Sequence, residues 1–493
     1  MRKKLLPRLL AALVILGVSA ALAQYCYMQK TYIKIDGAEY ARNITELDLR
    51  GKTVTELEKI RELSELKTLD LRDTGLSAQQ YQNLRDALPQ CCILWSVPFQ
   101  GQYMDMDTVE LAVQQLTESG LDEIALLNKL AAVDATECED LDMVLRLQEM
   151  YPHLKVTYTV PLGQNRYREN TKELVLENAN PDEVEAALTV LPELTKVTFT
   201  GTAPDNDRIY EWVCSYPQIQ FLWTFQVCGV DATSVDTQLI LNDIPMESVE
   251  EVESSLKYFY DLQWVEMCNC GIPSEDMDAL WKRHPETRFV WMVDVGVCRL
   301  RTDIQSFMPY HFGYDGYSVL FDQDMGEMKY CVDIICMDMG HMGISDYSFL
   351  AYMPHMQYLI ISDTPVSDIS AMENLKELKY LEAFKCGIRD ITPLLGCTAL
   401  EDVNLANNPI ADVSLLGQIE SLNNIWISGV NWPQEQKDAL NAAKPDATII
   451  YWQDWGSTGR GWRYLKNYYD HRDIMGMFYL DDDGKAYWTR RDK

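Results

Sequence analysis

The sequence predicts an α/β repeat fold: a curved parallel β-sheet on the concave side, with helices and short helical turns on the convex side. A 22-residue period runs without a slip from Cys331 to Val430. A longer period of 63 to 66 residues runs upstream, marked by Thr45, Thr108, Thr171 and Thr237. In both, apolar residues recur where a short strand and the turn after it would bury them.

The 22-residue block has the clearest register. Met353, Met356, Leu359, Ile361, Val366, Ile369 and Met372 recur as Leu375, Leu378, Leu381, Ala383, Ile388, Ile391 and Leu394, and again as Cys397, Leu400, Val403, Leu405, Ile410, Val413 and Leu416. The pattern L-x-x-L-x-L-x-x-N/C-x-L at such a period marks a leucine-rich-repeat solenoid. Its x-L-x-L-x part is a strand. The next polar position, Thr364, Cys386 or Asn408, is expected to satisfy backbone groups where the chain leaves the sheet, although Met342 occupies it in the first copy. Asp346, Asp368, Asp390 and Asp412 each precede the next apolar residue and are expected to cap the convex turn. With this N-x-I-x-D-I spacing the block, about 100 of 493 residues, resembles the internalin type of bacterial leucine-rich repeat. The resemblance implies a bacterial origin and a role in interaction.

At the N-terminus, Arg2, Lys3, Lys4 and Arg8 precede an apolar run from Leu9 to Ala23 that ends Ala-Leu-Ala. These are the parts of a secretory signal, with cleavage expected after Ala23. Uncleaved, residues 1–23 would be a membrane anchor, and no other segment calls for a membrane. The expected location is extracellular or at the cell surface.

Residues 24–301 are expected to form four modules of about 65 residues with long outer helices. Each opens on a Thr-led strand (TELDL, TVELAV, TKELVL, TQLIL) and continues with a second strand near Leu69, Val133, Val197 or Val265. Each ends with a helix, a proline and an alternating strand. Six residues past Pro89, Pro152, Pro217 and Pro285 stand Trp95, Tyr158, Trp223 and Trp291, which share a parity with the apolar positions and so belong to the core. Pro181 followed by acidic residues marks a helix start. Residues 302–330 break both periods and read as an irregular junction, a second candidate surface. Helix and strand return over 431–455 as a cap, followed over 456–493 by a GSTGRG connector and an aromatic tail with a hairpin across MFYL-DDDG-KAYW.

The formal net charge is −32, which argues against nucleic acid as a partner. The thirteen cysteines are scattered without C-x-x-C spacing and read mostly as packed thiols, and the six histidines make no zinc pattern. No cofactor or metal is expected. The one nucleophile-like match, Ser254 with Lys257, falls inside a helical pattern between two repeat strands, and acid pairs such as Glu250 and Glu251 read as solvated helix faces. No enzyme is expected.

What remains is a surface. Asp338, Tyr358, Ile360, Tyr380, Glu382, Phe384 and Trp426 flank the core positions of their strands and are expected to form an exposed aromatic and acidic patch on the concave face. The function expected is recognition of another macromolecule, a protein before other classes, on that face. The alternatives are carbohydrate or cell-wall binding there, and an enzyme or enzyme inhibitor using the 302–330 junction.

Overall fold

A computed structural model describes residues 5–309, 320–453, 456–475, 478–480 and 486–488. It divides into two compact units, Met1–Asp205 with Val213–Phe221, and Asn206–Trp212 with Leu222–Lys493.

In the first unit a helix over Leu5–Thr31 continues unbroken through Ala23 and leads into an antiparallel hairpin, Tyr32–Ile35 with Ala38–Ala41. Parallel strands then follow in groups. Glu46–Asp48, Thr68–Leu71 and Cys92–Phe99 pair side by side, as do Glu110–Ala112, Ala132–Ala135 and Lys155–Leu162. Glu173–Glu177 and Lys196–Thr200 continue the pattern. Between strands, helices start where side chains cap them. Ser77 and Gln80 make a reciprocal capping box, and Asn180 accepts from the Asp182 backbone ahead of a helix that opens on Pro181. In the second unit Gln238–Ile240, Trp264–Glu266 and Arg288–Val290 are parallel. A seven-stranded parallel sheet contains Ser306–Phe307, Cys336–Asp338, Tyr358–Ile360, Tyr380–Glu382, Asp402–Asn404, Asn424–Trp426 and Thr448–Ile450. The 22-residue register is the register of that sheet: Met337, Leu359, Leu381, Val403 and Ile425 are paired in sequence and wholly buried.

The structure adds a feature that the reading of the modules lacks. The alternating strand that ends each module runs on into a tight antiparallel hairpin, at 92–105, 155–168, 224–233 and 292–301, in addition to the one at 32–41. Asp36-Gly37, Gln100-Gly101 and Cys228-Gly229 have both turn residues at positive φ, the twist that two-residue hairpins favour. A glutamate from further along the chain accepts a backbone N–H at each hairpin. Glu56 takes Asp36 (2.8 Å), Glu123 takes Gln100 (2.6 Å), Glu183 takes Gly163 (2.9 Å), Glu251 takes Cys228 (2.8 Å) and Glu327 takes Asp294 (2.7 Å). Glu251, read as part of a solvated face, therefore has a structural partner. Trp95, Tyr158, Trp223 and Trp291 are buried, and the polar edges of Tyr158, Trp223 and Trp291 donate to Val190, Asn206 and Ser274.

The start of the junction also joins the sheet. Ser306 pairs in parallel with Cys336, 30 residues further on, and Phe307 is in the core. Residues 310–319 of the candidate surface lie outside the described residues. At the other end, the helix Gln434–Ala443 and the strand Thr448–Ile450 extend the sheet by one strand. The strands Phe478–Leu480 and Ala486–Trp488 pair antiparallel, and the turn expected at Asp483-Gly484 lies outside the described residues.

Candidate functional site

A strand of three residues buries its middle side chain in the repeat core and turns the outer two to the opposite face. In the seven-stranded sheet those outer positions form two ladders. One runs Cys336, Tyr358, Tyr380, Asp402 and Asn424, and the other Asp338, Ile360, Glu382, Asn404 and Trp426. They bring together six of the seven residues of the predicted patch, with Phe384 just past the end of its strand. The expectation that they are exposed is corrected: Tyr358, Ile360, Tyr380, Glu382, Phe384 and Trp426 are buried, and Asp338 is half-buried.

The cover is the chain's own segment Ser457–Met475, a 3-10 turn over Trp462–Tyr464 followed by a helix over Lys466–Met475. The indole of Trp462 stacks on Tyr380 with centroids 4.9 Å apart, lies 5.2 Å from the Trp426 ring and donates its N–H to Glu382. Glu382 also accepts from Arg463 at 2.7 Å and from the Tyr380 hydroxyl at 2.8 Å. Asn404 donates to the Ser457 carbonyl at 2.8 Å, and Trp426 donates to the Gly459 carbonyl at 2.9 Å. Asn467 donates to Glu401 at 2.9 Å and to Asp402 at 3.1 Å. The GSTGRG stretch expected to be a flexible connector is thus part of the cover, held by its backbone carbonyls.

This burial is felt by the titratable groups. Desolvation lifts the Asp338 carboxyl to about 6, and desolvation with the nearby Asp470 carboxylate lifts the Tyr358 hydroxyl to about 12. The His471 ring lies 6.3 Å from that of Tyr380 and 6.2 Å from that of Tyr468, both of its nitrogens are buried with no hydrogen-bond partner among the described residues, and desolvation, then Arg463 and Arg472, lower it to about 3. Sequence reasoning missed Trp462, Arg463, Asn467 and His471. The available signal was composition: residues 456–475 carry four basic and two acidic side chains in a chain of net charge −32.

The four predicted capping residues lie on the convex side. Asp346, Asp368, Asp390 and Asp412 accept from the backbone N–H of Ser348, Ser370, Thr392 and Ser414 at 2.8 to 2.9 Å, each where a 3-10 turn begins. At the polar ladder Thr364 and Cys386 both donate to the Ile361 carbonyl, and Asn408 donates to those of Ala383 and Leu405.

A second cleft, about 510 Å³, lies in the second unit beside Gln263, Trp264, Arg288, Asp333 and His355. The charges at its edge are neutralised in pairs. Arg288 bonds Asp333 at 2.9 Å, and Arg301 bridges Glu266 and Asp303, holding the Glu266 carboxyl down to about 2. Ser254 and Lys257 make no catalytic pair, since the hydroxyl donates to the Glu251 carbonyl at 3.0 Å and the ammonium binds Asp207 at 2.6 Å. Among the described residues no group of three or more His, Cys, Asp or Glu side chains could hold a metal ion, and the twelve described cysteines are unbridged.

No protein-family model and no curated protein matches the chain. Among solved structures, an internalin (InlF) from Listeria monocytogenes is 13% identical over 88% of each chain, with a TM-score of 0.25. A leucine-rich-repeat protein from Leptospira interrogans is 14% identical over 83% of this chain and 96% of its own, with a TM-score of 0.26. These likenesses are too slight to align a site. By its own 22-residue register and parallel ladder, the chain has a leucine-rich-repeat fold.

Proposed function

We propose that the chain is an exported interaction protein that binds another protein on the concave face of its C-terminal repeats. One observation carries this reading. The ladder around Tyr380, Glu382, Asn404 and Trp426 holds a peptide segment through side-chain and backbone contacts of the kind that recognise sequence, and that segment is the chain's own. Export rests on the basic, apolar and Ala-Leu-Ala succession before Gln24, and on Leu13, Val14, Ile15, Leu16 and Leu22, which lie exposed on the N-terminal helix. Among the described residues no helix is long and apolar enough to cross a membrane.

The test is cross-linking capture from the native environment with the full chain and with a Trp462→Ala/Arg463→Ala variant whose segment is loosened. Capture of one protein by the variant, lost on adding Tyr380→Ala and Trp426→Ala, is the expected result. Capture unchanged by those replacements in folded protein would place the interaction elsewhere. Signal on a glycan array with the same dependence would favour carbohydrate. Mass spectrometry of the captured chain reads its mature N-terminus, expected at Gln24.

A further inference from the structure

The segment over the concave face lies across the sheet from the repeat core. The core lies on the other side of the sheet, where Met337, Leu359, Leu381, Val403 and Ile425 are wholly buried among the convex turns. Ser457–Met475 makes a separate interface, and the interface has the composition of a recognition site. Two fixed donors, Asn404 and Trp426, bind backbone carbonyls and so orient the segment. An aromatic wall of Tyr380 and Trp426 takes one indole, and the buried carboxylate of Glu382 takes that indole's N–H and one guanidinium. Asp402 and Glu401 take an amide one helical turn further on.

Charge follows the same division. The sheet presents Asp338, Glu382, Glu401 and Asp402 against Lys379, whereas the segment carries Arg460, Arg463, Lys466 and Arg472 against Asp470 and Asp473. The fit is incomplete at His471, both of whose ring nitrogens are buried with no hydrogen-bond partner among the described residues. Burying such groups counts against docking, so an occupant with an apolar ring there would hold better.

We propose that this groove is a peptide-binding site for a basic segment bearing a Trp-Arg pair, that residues 457–475 are its resident occupant, and that a partner segment of the same chemistry displaces them. The proposal rests on the concave face being the binding surface and adds what that surface selects. A groove filled in cis lowers the apparent affinity for a partner by the fraction of time it is free.

The experiment uses the full chain and a labelled synthetic peptide of residues 456–475, read by fluorescence anisotropy. Wild type should bind it weakly, and Trp462→Ala/Arg463→Ala about tenfold or more tightly, since its own segment competes less. Adding Glu382→Gln should remove the gain, and a scrambled peptide of the same composition should not bind. Equal binding by wild type and the double variant, or by the native and scrambled peptides, overturns the proposal. So does hydrogen exchange over 456–475 in wild type as fast as in the free peptide. As a check that survives a folding defect, a protease site placed after Gln453 allows the folded chain to be cut. Exchange of the cut segment for added peptide is the expected result, and unfolding of the repeats on its loss would make it part of the core and sink the idea. Peptide exchange without capture of any protein would refute the protein-partner reading alone, whereas capture without peptide exchange would refute only the proposal made here.

Discussion

Tyr380, Leu381 and Glu382 are consecutive and all wholly buried, but on opposite faces of one strand. Leu381 is held by the repeat core, so Leu381→Ala should destabilise the repeats by about 2 to 5 kcal/mol, the range for a buried leucine that leaves a cavity. Asp390→Ala removes one acceptor for the Thr392 N–H and, being an exposed cap, should cost clearly less. Denaturant melts of the two variants check the ranking, and equal shifts would mean that the register is wrong. Replacement of Gly429 should reach the covered face. Its φ is +87°, and a Cβ there would fall 1.9 Å from the Asn407 Oδ1, in the side chain that donates to Ser457.

His471 gives a pH dependence with a definite sign. Docked, it is lowered to about 3 from its ordinary 6.5, so its neutral form is what docking favours. Its contribution is complete above 6.5 and is lost as pH falls from 6.5 toward 3. Asp338 acts oppositely: raised from 3.8 to about 6, it favours docking below 3.8 and loses that contribution as pH rises through 6. Hydrogen-exchange protection over 456–475, compared between wild type and His471→Phe from about pH 7.5 to 5, isolates the histidine. Wild type should lose protection relative to the variant on acidification, and parallel curves would contradict the assignment.

At the scale of elements, the sequence carried the strands of the modules better than their ends. The Thr-led strands and the proline-marked third strands lie where their apolar parity puts them. The hairpins were written only in two-residue signals such as Asp36-Gly37 and Gln100-Gly101, which are brief beside an eight-residue alternation. Their glutamate partners were invisible, because 20 or more residues separate Glu56 from Asp36 and Glu183 from Gly163. Glu183→Gln exchanges a charged acceptor for a neutral one at Gly163, and the lost charge assistance should cost about 1 kcal/mol. The expected signature is faster amide exchange confined to the 155–168 hairpin. A uniform loss of stability would mean that the hairpins are not separately latched.

At the scale of the whole molecule, the net charge of −32 and the basic segment over the concave face respond to salt in opposite ways. Raising ionic strength from about 0.02 to about 0.2 M should raise the melting temperature of the repeats by screening self-repulsion, while hydrogen exchange over 456–475 quickens as the attraction to the sheet is screened. The same sign for both would remove the electrostatic part of the docking argument.

The sequence by itself determined the repeat, its register, the parity of every strand in the 22-residue block and the residues of the concave ladders. These are local properties: a period of 22 and an alternation of 2 are read within one or two repeats. Only the tertiary structure decided whether the ladders face solvent. Periodicity says which way Tyr380 and Trp426 point, but not that Trp462, 82 and 36 residues further on, lies against both. That contact has no repeating pattern to betray it, because it depends on the complementarity of two surfaces formed by distant parts of the chain.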